Sequence, residues 1–178
     1  MNWSLNISKS DDHAAILAEI PHLRRYALAL LRESEAADDL VQDGIQRALS
    51  KLHLFQSGTN MRAWLMTILH NLHIQQARSR NRAIDDVALE PDMENRVSRP
   101  PDQEDGLYVR ELSRALDALE DQHREIILMI GLSGLSYKQT AEALEIPVGT
   151  VMSRLARGRE RLRVLMSEGA TPTLRRVK

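Results

Sequence analysis

No cysteine occurs in the 178 residues, which excludes disulfides, thiolate metal sites and thiol nucleophiles and fits a reducing compartment. Aromatic residues are scarce: two Trp, three Tyr and one Phe. Sandwiches and barrels draw on aromatic and β-branched side chains, so a chain rich in Leu, Ala, Ile and Arg points instead to an all-α fold. No apolar run approaches the roughly 20 residues that cross a bilayer. The opening stretch MNWSLNISKSDD has neither a basic start nor an apolar segment. A cytoplasmic protein without a membrane segment is therefore expected. The net charge of −1 also removes the overall positive charge with which proteins that bind DNA unaided neutralise phosphates.

What is present is unevenly distributed. From Arg62 to Arg82 there are four Arg and no carboxylate, and from Ser136 to Arg163 six basic residues face three acidic ones. Between them, Ala83 to Asp105 holds eight carboxylates against Arg96 and Arg99. That connector lacks sustained periodicity and carries Pro91, Pro100 and Pro101, so it reads as an extended acidic linker. The expected organisation is a helical domain over 1–82, a linker over 83–105, and a second helical domain with a short basic tail over 106–178. The hydrophobic content of 43% is sufficient for two small packed cores.

In the first domain, Ile16, Ile20, Leu23, Ala27, Leu30 and Leu31 keep helical spacing, with Pro21 expected to start a new helix after a short one. Ser34 is placed to cap a second helix of about 35–53, buried along Ala37, Leu40, Val41, Ala48 and Leu52. Its opposite face presents Asp39, Gln42, Asp43 and Gln46. Asn60 is placed to cap a third helix with a core stripe of Met61, Trp64, Leu65, Ile68, Leu69 and Leu72. Arg62, Met66, Thr67, His70 and His73 fall on its outer side. In the second domain, an apolar helix containing EIILMI is stopped near Gly131 to Gly134, and Ser136 with Gln139 forms a capping-box signature for YKQTAEALE. Pro147 suits the first turn of a last helix reaching about Met166.

A short helix, a tight turn and a longer basic helix make a helix-turn-helix candidate. At 3.6 residues per turn the last helix puts Val148, Val151, Leu155 and Leu162 on one side. Thr150, Ser153, Arg154, Arg157 and Arg161 fall on the other. One face anchors while short polar and Arg side chains enter a major groove. A solvated amphipathic helix shows the same division, so the pattern leaves both readings open. His70 and His73 have metal-like spacing but no Cys or carboxylate partner in the motif. No Gly-rich phosphate loop, nucleophile elbow or triad is evident. Neither a metal, a cofactor nor catalysis is expected.

The stretches ESEAADDLVQDGIQRALSKL and MRAWLMTILHNL resemble the N-terminal core-binding and minus-10 domain of bacterial sigma factors. LSYKQTAEALEIPVGTVMSRLARGRERLR resembles their minus-35-binding C-terminal domain. Both occur in the family's order, and the lack of a middle domain resembles the extracytoplasmic-function group. The resemblance implies that Asp38, Asp39, Leu40, Gln42 and Asp43 dock on the coiled coil of the polymerase beta-prime subunit, for which an acidic polar face suits a basic protein surface. It implies minus-10 binding by Phe55, Asn60, Arg62, Thr67, His70 and Asn71, with Arg78, Arg80 and Arg82 on phosphates. Trp64 is expected in the core, and Phe55 serves either DNA or the anchoring of its loop. Minus-35 binding is implied for Ser136, Tyr137, Thr150, Ser153, Arg154, Arg157 and Arg161.

Further implications of the resemblance are contact with the polymerase beta flap, control by an anti-sigma factor, a role in stress responses, and passage of the acidic linker near the RNA exit path. Three positions depart from the family pattern: Met152 where Lys or Arg is common, Glu145 where Gly is common, and Glu120 where Pro is common. Two other readings stand beside this one. A sigma mimic would bind an anti-sigma factor without touching DNA, and a free-standing helix-turn-helix repressor would bind a duplex unaided.

Overall fold

Helix caps and helix breakers set the element boundaries, and they do so in a computed structural model that describes residues 3–86 and 105–169, with side chains over 11–79 and 108–167. Most of the expected linker and the basic tail lie outside the described residues. The described helices are α1 (Trp3–Leu31), α2 (Ser34–Ser50), α3 (Met61–Asp86), α4 (Asp105–Asp117), α5 (Asp121–Ile127), α6 (Tyr137–Leu144) and α7 (Val148–Gly169). A 3-10 turn (Leu52–Leu54) follows α2, and a π-helical turn (Leu128–Leu132) continues α5. No strand occurs among the described residues.

Pro21 does not start a helix; it lies inside the continuous α1. A proline leaves the carbonyl four residues back without its donor. Here that carbonyl belongs to Leu17, and both Leu17 and Pro21 face solvent, so water can serve it. At the other end, Arg32 takes a left-handed φ of 67° while its N–H still bonds Leu28 O at 2.9 Å. The turn is therefore so short that Glu33, not Ser34, is the N-cap of α2, and it offers no side-chain cap. Asn60 behaves as expected: its Oδ1 accepts from Ala63 N at 3.1 Å at the start of α3.

The first module packs α1, α2 and α3 around Ile16, Leu23, Tyr26, Ala27, Leu30, Ala37, Leu40, Val41, Ala48, Met61, Leu65 and Leu69. Each fully buried Leu among them contributes about 1.5–3 kcal/mol by leaving water. Gly44 lets α2 approach α3 closely, because a Cβ there would come within 2.7 Å of Leu69 Cδ1. The second module centres on Ile126, Ala141, Val151 and Leu155, with Ile127, Ile130, Leu144 and Ile146 packed around them.

The two cores are not separate. Leu128, Met129, Leu135 and Ala143, from α5 through α6, join the cluster of the first module. The π-helical turn makes this possible, its closing bond running from Ser133 N to Leu128 O at 3.0 Å. One extra residue per turn swings Leu128 and Met129 toward α1 and α3. As a result Met66, expected on the outer side of α3, is fully buried. The second module covers the face that single-helix periodicity assigns to solvent.

Candidate nucleic-acid interface

The helix-turn-helix is built from local chemistry. Ser136 caps α6 reciprocally: its Oγ accepts from Gln139 N at 3.2 Å and its own N–H donates to Gln139 Oε1 at 2.9 Å. Glu145 ends α6 in the left-handed region at φ 53°, and Pro147 O accepts from Thr150 N and Val151 N to open α7. Val151 and Leu155 are buried against α5 and α6 while Leu162 is half-buried. Val148, expected with them, is instead exposed as the first residue of α7. Ser136, Tyr137, Ser153, Arg157 and Arg161 are exposed, and Thr150 and Arg154 are half-buried. The expected groove face is thus open to a ligand. Arg163, two residues beyond Arg161, is held by Glu160 at 2.7 Å, and that guanidinium keeps the Glu160 carboxyl below its usual range.

The first module presents its residues differently. On α2, Asp39, Gln42 and Asp43 are exposed, but Leu40 is fully buried. Leu40 therefore seats the helix and cannot itself meet a partner. Asp38 is exposed and held by Arg24 through two bonds of 2.6 and 2.9 Å; the guanidinium lowers its carboxyl pKa. Phe55 is half-buried, its ring tilted 50° against Trp64 at a centroid distance of 5.2 Å. That contact ties the loop to α3 while leaving part of the Phe55 ring open, and Trp64 is half-buried rather than enclosed.

Three expected minus-10 residues lie on the covered side of α3. Arg62 donates from Nε to Glu19 at 2.6 Å and from Nη1 to Ser133 O at 3.3 Å, so it ties α1 and α3 to the second module. His70 pairs with Glu125 of α5, with both side chains mostly covered. Thr67 spends its hydroxyl on Ala63 O. Asn60, Asn71 and Arg78 are exposed. Arg80 and Arg82 lie within α3, with side chains outside the described residues.

His73, expected on the outer side of α3, and several residues that the sequence did not mark as functional complete this seam. Tyr26 is fully buried, and burial first, then the charge of Glu125, pushes its phenol well above its usual pKa. Burial lowers the pKa of His73, with Glu125 opposing it. Burial also lowers that of Arg124, which faces Arg32, just past the end of α1, as well as Asp121. Arg32 reaches Asp117 at 2.7 Å. Tyr26 Oη, Arg124 Nε and Ser133 Oγ are buried without a hydrogen-bond partner among the described residues. Glu125 was visible in the sequence as a carboxylate at the head of the apolar run EIILMI, the one clue that a polar contact crosses the packed face. Among the described residues no group of three or more His, Cys, Asp or Glu is placed to hold a metal.

A helical protein with an open basic helix-turn-helix and a second helical module belongs to the DNA-reading class. Residues 16–70 match the family described as the Sigma2 domain of PhyR, and residues 109–162 match Sigma-70, region 4. The chain is 38% identical to the ECF RNA polymerase sigma factor EcfG of Rhodopseudomonas palustris, over 85% of this chain and 82% of that one. It is similar to the structure of the sigma factor RpoE in complex with the anti-sigma factor NepR from Bartonella quintana, with a TM-score of 0.78 and 35% identity over 88% of this chain and 97% of that one. Its fold is also that of the anti-anti-sigma factor PhyR from the same organism, with a TM-score of 0.54 and 14% identity over 89% of this chain and 50% of that one. The chain belongs to the family of extracytoplasmic-function RNA polymerase sigma factors, which direct transcription from particular promoters.

Proposed function

We propose that this sigma factor joins core RNA polymerase through the exposed Asp39, Gln42 and Asp43 of α2 and reads the minus-35 duplex with Ser136, Tyr137, Thr150, Ser153, Arg154, Arg157 and Arg161. It engages the minus-10 region with Asn60, Arg62, Thr67, His70, Asn71, Arg78, Arg80 and Arg82, while Phe55 shapes the loop from behind. It acts in the cytoplasm without catalysing a reaction, under the control of an anti-sigma factor. The domain limits are 1–82 and 106–178, with the acidic linker between. No described helix is long and apolar enough to cross a membrane.

The observation that carries this reading is the difference in access between the two DNA faces. Ser153, Arg157 and Arg161 are exposed, whereas Arg62 and His70 are engaged by Glu19, Ser133 and Glu125. The chain as folded offers the residues assigned to the minus-35 duplex and withholds Arg62 and His70 of those assigned to the minus-10 region, while Asn60, Asn71 and Arg78 stay exposed. Engagement of the minus-10 element therefore requires α5 and α6 to leave α3, a separation that docking of the two modules on a polymerase would hold in place. Run-off transcription from a cognate promoter with purified core polymerase tests the proposal. The chain confers promoter-specific transcripts, and Asp39→Ala with Asp43→Ala lowers them about tenfold or more, in line with the loss of buried charge partners at an interface. A double variant as active as the parent would remove α2 from the polymerase contact.

One observation favours a second reading. The first module matches the Sigma2 domain of PhyR, whose structural relative is described as an anti-anti-sigma factor bound to NepR. A chain that captures an anti-sigma factor without transcribing would give no promoter-specific product with core polymerase.

A further inference from the structure

Two glycines of α7 have different causes. A Cβ at Gly158 would come within 2.9 Å of Ile127 Cδ1 and 3.2 Å of His123 Cβ, so α5 requires the glycine there. At Gly149 a Cβ would meet nothing within 4 Å and φ is not positive. The fold gains nothing from Gly149, and a helical glycine is unfavourable relative to alanine. The open space there leaves the helix backbone accessible to close approach by an outside surface.

The side chains beside Gly149 say what that surface is. Val148 and Met152 are 37% and 49% exposed, one turn apart on the same edge of α7. Ser153 and Arg157 continue the face. Met152 offers no hydrogen-bond donor to a phosphate, and its thioether is a poor acceptor for a base amine. Among base edges in the major groove, only thymine presents an apolar group, its C5 methyl. We infer that Met152, supported by Val148 and given close approach by Gly149, is a specificity-determining residue that packs on a thymine methyl within the minus-35 element. The inference rests on the assignment of α7 to the minus-35 duplex and adds which base feature one residue reads.

The test uses the full chain bound to core polymerase. Duplexes are selected from a pool randomised over the minus-35 region, and each thymine of the selected element is then replaced in turn by deoxyuridine, which removes only the methyl group. In the parent protein one thymine shows about fourfold weaker binding as uridine, the equivalent of ~0.8 kcal/mol for one buried methyl. In Met152→Ala that penalty falls to about onefold, while penalties for changing the other bases persist. An element without thymine, no uridine penalty, or the same penalty in Met152→Ala would overturn the inference and leave the minus-35 assignment standing. Failure to select any element would overturn that assignment as well.

Discussion

Single residues carry their clearest consequences where the backbone is unusual. Glu145 holds φ 53° at the end of α6, a conformation that costs a side chain with a Cβ about 1–2 kcal/mol. Glycine removes that strain but raises the entropy of the unfolded chain. Glu145→Gly should therefore raise stability by a net ~0.5–1 kcal/mol, read as a higher urea midpoint at unchanged slope. A lower midpoint would mean that the Glu145 side chain makes a contact worth more than the strain. The capping box of Ser136 and Gln139 and the Asn60 cap were legible in the sequence because both satisfy donors within three residues. Ser34 was misjudged because its role depends on the left-handed Arg32, and nothing in an arginine announces φ 67°. Leu40 belonged by spacing to the buried stripe, and its complete burial decides between that place and the docking face.

At the scale of the helix, α7 combines two demands that can be separated. Gly158→Ala introduces a methyl against Ile127 Cδ1 and His123 Cβ, so it should destabilise the second module by ~1–3 kcal/mol through overpacking. Gly149→Ala has open space, and its helix propensity should add up to about 1 kcal/mol. Thermal unfolding of the two variants, measured side by side, should move in opposite directions; the same direction for both would contradict the packing just described. The anchoring arc of Val151 and Leu155 followed from 3.6-residue spacing, and so did the exposed Ser153, Arg157 and Arg161. Val148 departed from it because periodicity describes an endless helix and this one begins there. For α3 the same spacing sorted Met61, Leu65 and Leu69 correctly to the core. It misplaced Met66 because a helix covered on two sides has no single apolar stripe.

At the scale of the whole molecule, the seam between modules combines a continuous apolar core with polar groups that are only partly satisfied. Its titration has a definite sign. Burial lowers the His73 pKa below 6.5 against the pull of Glu125 and Asp121, with His70 and Arg124 adding to the lowering. A group with a depressed pKa favours the closed packing above its free value and opposes it as pH falls from about 6.5 through the lowered one. The chain has no cysteine, so dyes on Lys51→Cys and Lys138→Cys report the separation of the modules without competing thiols. Energy transfer between them should fall from pH 7.5 to pH 5.5, and His73→Asn should flatten that change. A parent signal constant across this range would show that the modules do not part on protonation of His73.

On the proposed assignment, the same seam would set how readily the minus-10 residues on α3 are released. Tyr26 Oη is buried and forms no hydrogen bond of good geometry among the described residues, although the Glu125 carboxylate lies near enough to raise its pKa, and a buried hydroxyl so poorly satisfied costs about 1–3 kcal/mol relative to a hydrated one. Because Glu125 and burial hold the phenol protonated, no charge is lost on deleting it at neutral pH. Tyr26→Phe therefore removes a group that favours opening and keeps the ring that packs α1 against the π-helical turn. The variant should unfold about 1 kcal/mol later in urea, with slower formation of the open promoter complex measured by permanganate reactivity of minus-10 thymines. Its closed packing should also persist above pH 10, where deprotonation of Tyr26 in the opened or unfolded parent weakens the closed form. Faster promoter opening in Tyr26→Phe would mean that the hydroxyl holds the modules together, and the seam would then be a support for the active form instead of a barrier to it.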